Sequence, residues 1–173
     1  LVGRDAEVAR LGTVVEDFGA GRGQAFLIVG EPGIGKTRML AELRSLLPDG
    51  VAWLEGQCLS YGGLPSWPFV EILRRWLDVE GGDAEVVVQT RARARLVPLL
   101  GENPDDAGAL ANLGRLLGIQ SEPHVTADPG ETRRAYVAWV AALAREAPVV
   151  LAIEDLHWAH ASTRELADDL LDL

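Results

Sequence analysis

The feature that most constrains the fold of this chain is a glycine-rich octapeptide between an apolar run and an amphipathic segment. Residues 30–37 read Gly-Glu-Pro-Gly-Ile-Gly-Lys-Thr and match the pattern G-x-x-x-x-G-K-[ST] at every position. The apolar residues 25–29 predict a buried strand before it, and residues 36–47 predict a helix after it. A strand that leads through a tight glycine loop into a helix is the framework of a phosphate-binding loop.

Each residue type in the octapeptide has a chemical reason. Glycine at positions 30, 33 and 35 lets successive backbone N–H groups turn inward around a phosphate. Lys36 is placed to reach the β- and γ-phosphates, and Thr37 has the hydroxyl that ligates Mg²⁺. We therefore predict that the loop and the residue after it bind the nucleotide, namely Gly30, Glu31, Pro32, Gly33, Ile34, Gly35, Lys36, Thr37 and Arg38.

Composition strengthens the case for Lys36. It is the one lysine among the chain's 16 basic residues, and the other fifteen are arginine. Lysine is a compact point charge on a thin stem, whereas arginine is a wide planar fork. A lysine retained in an arginine-rich chain therefore indicates a role that arginine cannot fill.

The overall composition excludes several classes of protein. The 173 residues are 48% hydrophobic and 24% charged, which is typical of a folded globular domain. The net charge of −10 repels nucleic acid and anionic membranes, so we expect neither as a partner. No apolar run approaches the length of a membrane span. The single cysteine, Cys58, forms no internal disulfide, which favours a reducing, cytoplasmic location.

A second apolar run ends in two acids. Residues 149–153 predict a strand, and Glu154 and Asp155 follow it directly. Ligands of an open parallel sheet bind beyond the carboxyl ends of its strands, so these carboxylates are predicted at the same edge as the loop. One carboxylate can hold the water shell of Mg²⁺, and the other can orient a water for attack on a γ-phosphate. The predicted metal-binding residues are Thr37, Glu154 and Asp155, and the predicted catalytic residues are Lys36, Glu154 and Asp155.

Periodicity predicts the remaining elements. A further strand is predicted at 51–57 and helices at 5–19, 69–77, 84–100, 105–117 and 131–146. The last helix is predicted to start near Ser162, where Ser162 and Glu165 fit a capping box. Alternating strands and helices indicate an α/β fold with a mainly parallel sheet flanked by helices. With the phosphate-binding loop at 30–37, the expected sheet is of the P-loop NTPase type. We expect one domain over 1–173, with its core at 1–57 and 131–173 and a helical elaboration at about 69–130.

Three segments together resemble the ATPase domain of large bacterial signalling regulators. They are Leu-Val-Gly-Arg at 1–4, the octapeptide at 30–37, and Glu-Asp-Leu-His-Trp-Ala at 154–159. This family, the AAA+-related STAND-type ATPases, is found in LuxR-class transcriptional regulators and fused to adenylate cyclases and protein kinases. The resemblance implies ATP or ADP and Mg²⁺ as ligands.

The resemblance also implies individual roles. Val2, Gly3 and Arg4 would lie near the adenine. Glu154 would fill the Mg²⁺-facing acid position, with Asp155 beside it. The family often has Asp at the first of these positions, so which of the two acids faces the metal stays open.

The family core continues with at least two more strands, so we expect this chain to be the N-terminal part of an ATPase domain, truncated before the last core strands. In the family's sheet a further strand lies between the first and the third. Without it we expect direct pairing, strand exchange or a partly collapsed site, and weak or absent catalysis.

The preferred hypothesis is an ATP-binding, slowly hydrolysing nucleotide switch within a larger signalling or transcriptional regulator. Its expected partners are the nucleotide, further domains of the parent chain and, as an option, a second copy in a homo-oligomer. Two alternatives stay open: a P-loop kinase for a small metabolite, and a non-catalytic interaction module.

Overall fold

The computed structural model describes residues 5–60, 66–101, 104–119 and 128–173. The chain divides into two compact units, Leu1–Val51 and Ala52–Leu173, each of which is described by itself. The elements are, in chain order, α1 (Asp5–Gly19), α2 (Lys36–Leu46), β1 (Ala52–Gln57), α3 (Trp67–Leu77), α4 (Glu85–Leu100), α5 (Pro104–Leu116), α6 (Pro129–Glu146), β2 (Val149–Glu154) and α7 (Ala161–Leu171), with a 3₁₀ turn at Leu156–Trp158 before α7.

The first unit contains the helices α1 and α2, which confirm the predicted helices at 5–19 and 36–47. Leu11 on α1 and Met39 and Leu43 on α2 are buried, as the apolar spacing predicts. The residue after α2, Leu47, is extended at φ −72° and ψ 144°. Because Pro48 follows, the helical conformation is disfavoured at Leu47 and α2 ends there.

The predicted strand at 25–29 is wrong. Residues 22–31 have no regular secondary structure, and the side chains of Phe26, Leu27 and Val29 are 45%, 70% and 81% exposed. Backbone N–H and C=O groups of a strand need a neighbouring strand to bond. Among the described residues, only β1 and β2 pair in a sheet. The apolar run identifies residues suited to a strand, but it does not supply the neighbour.

The second unit is built on a parallel pair, β1 and β2, which confirms the strands predicted at 51–57 and 149–153. The register runs from Ala52 opposite Val149 to Gln57 opposite Glu154. Both strands therefore end at the same level, and the residues that follow them leave the sheet together. Within the parts of the chain that the structure describes, this two-stranded sheet flanked by helices is the α/β architecture that the sequence predicts.

The helices of the second unit pack around a cluster of aromatic rings. Phe69, Tyr136 and Trp139 are fully buried. The Tyr136 ring lies 5.0 Å from that of Phe69 and 4.9 Å from that of Trp139, both edge to face. This geometry places the positive edge of one ring against the negative face of the next. The predicted helices at 69–77, 84–100, 105–117 and 131–146 are confirmed, with ends that differ by at most two residues.

Helix α3 lies unusually close to β1. An ideal Cβ at Gly56 would be 2.4 Å from the carbonyl oxygen of Pro68 and 3.0 Å from Cγ1 of Ile72. Only glycine has no Cβ to place there, so Gly56 is what allows the first turn of α3 to rest on the strand. This close approach brings the polar residues of α3 within reach of the end of β1.

The capping box predicted at the last helix is wrong. Helix α7 begins at Ala161 with His160 as N-cap and no side-chain capping bond. The Ser162 hydroxyl is buried without a partner, and the carboxylate of Glu165 pairs with Arg133 of α6. The tertiary ion pair takes the carboxylate that a capping box would use. None of the helices in the described residues is both long and apolar enough to cross a lipid bilayer.

Candidate nucleotide-binding site

The glycine loop turns through two left-handed residues. Gly33 has φ 79° and Gly35 has φ 93°, and an ideal Cβ at either position would meet nothing within 4 Å. Glycine is therefore required there by the backbone conformation and not by crowding. Gly30 differs, because a Cβ there would lie 2.8 Å from Cγ2 of Ile34. The loop is thus a curl whose shape depends on glycine at the predicted positions.

Helix α2 begins at Lys36, directly after the curl. Its N-cap is Gly35, and no side chain caps it. The amides at the start of a helix have no intrahelical partners and carry partial positive charge, so an end that no side chain caps suits an anion. This arrangement fits the phosphate group that the sequence predicts.

The ammonium of Lys36 folds back over the loop. Its Nζ donates to the carbonyl oxygens of Gly30 at 3.0 Å and Glu31 at 3.1 Å. The positive charge is therefore held at the loop by two neutral acceptors, which an anionic phosphate oxygen would replace with a stronger bond between opposite charges. Thr37 and Arg38 lie exposed on the first turn of α2.

The remaining predicted contacts of the loop are also at the surface. Glu31, Pro32 and Ile34 are exposed. The residues predicted near the adenine, Val2, Gly3 and Arg4, lie outside the residues that the structure describes.

The two predicted acids lie in the second unit, at the carboxyl end of the sheet. Glu154 is the last residue of β2, and Asp155 follows it with φ 54° and ψ 39°, in the left-handed region. Aspartate tolerates this conformation better than most side chains because it can bond locally. The Asp155 carbonyl accepts from the N–H of Trp158 at 2.9 Å and closes the 3₁₀ turn. The chain therefore turns sharply after β2 and leaves both carboxyl groups half-buried at the strand end.

Gln57 joins the two strand ends. Its side-chain Nε2 donates to Oδ2 of Asp155 at 2.8 Å, and the next N–H, that of Cys58, donates to the carbonyl oxygen of Glu154 at 3.0 Å. Sequence reasoning did not nominate Gln57 as a site residue. Its position at the end of a predicted strand was a signal, but its contact with Asp155 depends on a register that the sequence does not show.

Cys58 has no catalytic character in this structure. Its side chain is 4% exposed, and burial, with a smaller contribution from the charge of Asp155, raises the pKa of the thiol. A nucleophilic cysteine needs the opposite shift, toward the thiolate. The thiol therefore packs as a small apolar group beside the acidic end of the sheet.

The acids do not form a complete metal site from protein groups alone. Among the described residues, no three His, Cys, Asp or Glu side chains converge in a way that could hold a metal ion. Mg²⁺ commonly takes one or two carboxylates and completes its shell with water and substrate phosphates. Glu154 and Asp155 fit that mode, in which the nucleotide supplies the remaining oxygens.

Comparison with known proteins places the chain in a family. Residues 1–173 match the family model described as the AAA ATPase domain. The chain belongs to this AAA ATPase family. Membership of the family suggests that this AAA ATPase domain binds a nucleotide, in agreement with the glycine loop.

One relative shows the context in which such a domain occurs. An uncharacterised protein of Rhizobium meliloti (strain 1021) is 31% identical over an alignment 173 residues long, which covers 96% of this chain and 16% of the relative. The AAA ATPase domain thus spans about one sixth of the relative's length. No solved structure is significantly similar to the chain.

Proposed function

We propose that this AAA ATPase domain is a nucleotide-controlled switch that binds ATP with Mg²⁺ and hydrolyses it slowly. The observation that carries the proposal is the loop conformation: left-handed Gly33 and Gly35 lead into a helix that no side chain caps, with the ammonium of Lys36 held over the curl. Backbone amides, a helix N-terminus and one compact cation are the groups that bind a polyphosphate.

The residues have separate roles in this proposal. Bound Mg·ATP would supply the γ-phosphoryl group for transfer to water, which would give inorganic phosphate with ADP as the leaving group. The loop amides and Lys36 bind and neutralise the phosphates, and Lys36 exchanges its bonds to the carbonyls of Gly30 and Glu31 for phosphate oxygens. The Thr37 hydroxyl is a proposed ligand of Mg²⁺ on the loop. Of the two acids, one would hold the water shell of Mg²⁺, and the other would orient a water for attack on the γ-phosphate. Gln57 fixes the carboxylate of Asp155 for this task.

The wider role is inferred from the length of the relative and from the sequence. The matching region of the Rhizobium meliloti protein is 16% of its length, so a domain of this kind occurs there within a much larger chain. The sequence resembles STAND-type domains of LuxR-class regulators. We therefore propose that ATP binding controls further domains of a signalling or transcriptional regulator in the cytoplasm. Association of two copies of the domain is a second way in which ATP binding would affect the regulator. A surface with net charge −10 makes nucleic acid an unsuitable ligand for this segment.

A titration with a fluorescent ATP analogue tests the proposal. The wild-type chain, Lys36→Ala and Lys36→Arg are compared with Arg10→Ala, which removes a cation from the exposed face of α1. Loss of a charge-assisted bond to phosphate weakens binding by roughly 10- to 100-fold in Lys36→Ala. Lys36→Arg does not restore binding, because the wide planar guanidinium does not fit where the compact ammonium does. Arg10→Ala binds as wild type does. A wild-type chain that binds no nucleotide refutes the proposal.

One observation favours a second candidate, the interaction module that keeps the motif without using it. The segment 25–29 before the loop joins no sheet in the described part of the chain, and the side chains of Phe26, Leu27 and Val29 are exposed. The same titration separates the two functions, because the module binds no ATP. The third hypothesis, a small-metabolite kinase, requires a phosphorylated product, which product analysis with candidate acceptors detects.

A further inference from the structure

We propose that Glu71 on α3 is a positioning residue for the acidic end of the sheet, acting through Gln57 on Asp155. The inference rests on the proposed function, because it assigns Asp155 a part in Mg²⁺-dependent nucleotide binding. Its consequence is that the metal dependence of the site is set in part by a helix that carries none of the predicted site residues.

The first step in the argument is the direction of the backbone groups in β1. The N–H groups of Ala52 and Cys58 donate toward the β2 side, to the carbonyl oxygens of Pro148 at 2.9 Å and Glu154 at 3.0 Å. The N–H and C=O groups alternate in direction along a strand, so those of the odd-numbered residues of β1 point to the outer side, away from β2. The carbonyl of Glu55 and the N–H of Gln57 are two of these.

Side chains of α3 satisfy both outer groups. Oε2 of Glu71 accepts from the N–H of Gln57 at 3.0 Å, and Nη1 of Arg75 donates to the carbonyl oxygen of Glu55 at 3.0 Å. Glu71 and Arg75 also pair with each other, with Nη2 of Arg75 at 2.7 Å from Oε1 of Glu71. One acceptor and one donor, locked together one helical turn apart, therefore take the place of a neighbouring strand.

The second step is that Gln57 is held at both of its ends. Its backbone N–H is bound by Glu71, and its side-chain amide binds Oδ2 of Asp155 at 2.8 Å. Fixing the backbone fixes the point and direction from which the glutamine side chain leaves the strand, and the bond to Asp155 then selects its rotamer. Glu71 therefore helps to position the amide for Asp155 without being part of the predicted metal-binding set.

The third step is that the hydrophobic core holds the backbone of Glu71 in place. Phe69, Ile72 and Leu73 on the same helix are 0–1% exposed, so the core holds the backbone of α3 in place. The Glu71 side chain is only 24% exposed, and the bond it accepts is charge-assisted. The link from the core through Glu71 and Gln57 to Asp155 is thus continuous: it starts at a half-buried carboxylate and ends at an exposed glutamine side chain.

The test compares three substitutions. Glu71→Met removes the acceptor at similar length, Glu71→Gln keeps an acceptor for the Gln57 N–H, and Glu165→Met is the control, because it removes a carboxylate that is paired with an arginine on another helix. For each variant, binding of a fluorescent ATP analogue is titrated with Mg²⁺ and, separately, measured in EDTA. We expect the half-saturating Mg²⁺ concentration to rise by roughly tenfold in Glu71→Met. Glu71→Gln and the control stay close to wild type, and affinity in EDTA is unchanged throughout.

A second readout needs neither metal nor nucleotide. Hydrogen exchange of the Gln57 backbone amide, followed by NMR, is expected to be at least several-fold faster in Glu71→Met than in wild type and unchanged in Glu165→Met. If Glu71→Met does not fold, Arg75→Met replaces it, because Arg75 holds Glu71 in place; the same rise in Mg²⁺ requirement is then expected.

Three results overturn the inference. An unchanged Mg²⁺ requirement in Glu71→Met shows that the contact with Gln57 has no consequence for Asp155. Equal weakening with and without Mg²⁺ shows a purely structural role. A wild-type chain that binds no nucleotide removes the proposed function and the inference with it, whereas the first two results leave the proposed function intact.

Discussion

Replacement of Gly56 by alanine tests the close contact between α3 and β1. The new Cβ would lie 2.4 Å from the carbonyl oxygen of Pro68, whereas an ordinary contact begins at 3.4 Å, so the backbone of α3 must retreat by about 1 Å. That retreat moves Ile72 and Leu73 out of a packed core, and overpacking of this kind costs up to about 3 kcal/mol. Alanine recovers up to about 1 kcal/mol through lower entropy of the unfolded chain. We expect a net loss of about 2 kcal/mol in the free energy of unfolding.

Urea unfolding followed by tryptophan fluorescence measures this loss. All five tryptophans lie between residues 52 and 173, so the signal reports the unit that contains Gly56. Gly114→Ala in α5 is the matched control: the nearest atom to its ideal Cβ is 3.9 Å away, and alanine favours a helix, so we expect a gain of about 0.5–1 kcal/mol. If Gly56→Ala unfolds at the same urea concentration as wild type or a higher one, the described packing of α3 on β1 is wrong.

Three further outcomes are expected. Tyr136→Phe removes a buried hydroxyl without a partner, so the free energy of unfolding in urea is unchanged or rises by up to about 1 kcal/mol. Burial raises the pKa of Tyr136 well above 10.0, so the unfolded chain ionises first, and wild-type stability falls above about pH 10 more steeply than that of the variant. Cys58, with its raised pKa and 4% exposure, reacts with a thiol reagent at pH 8 only after unfolding; rapid labelling of the native chain contradicts this. Leu27→Ser and Val29→Ser, at 70% and 81% exposure, change stability by less than about 0.5 kcal/mol by circular dichroism, whereas a buried strand would lose several times more.

Local patterns in the sequence were sufficient for much of the fold. Helix α1 begins and ends at the predicted residues, because its buried face and the glycines after it are both local signals. The strands at 52–57 and 149–154 pair with each other. The run at 25–29 is as apolar as residues 149–153 but has no neighbouring strand in the described chain, and composition alone cannot distinguish these two cases.

The candidate site divides in a similar way. The glycine loop could be predicted, because its chemistry lies within eight consecutive residues and the left-handed Gly33 and Gly35 follow from residue type. The environment of Asp155 could not be predicted, since Gln57 reaches it only through the strand register. The false capping box has the same origin: Glu165 fits the local pattern, but Arg133 on another helix takes its carboxylate.

Glu71 and Arg75 of α3 bind the outer edge of β1, so a further strand can be added more easily at the other edge of the sheet. A strand arriving at the outer edge of β1 would have to displace Arg75 from the carbonyl of Glu55 and Glu71 from the N–H of Gln57. Exposed strand margins otherwise invite recruitment of other chains. Any enlargement of this sheet, by more of the same polypeptide or by another molecule, is therefore steered to the far side of β2.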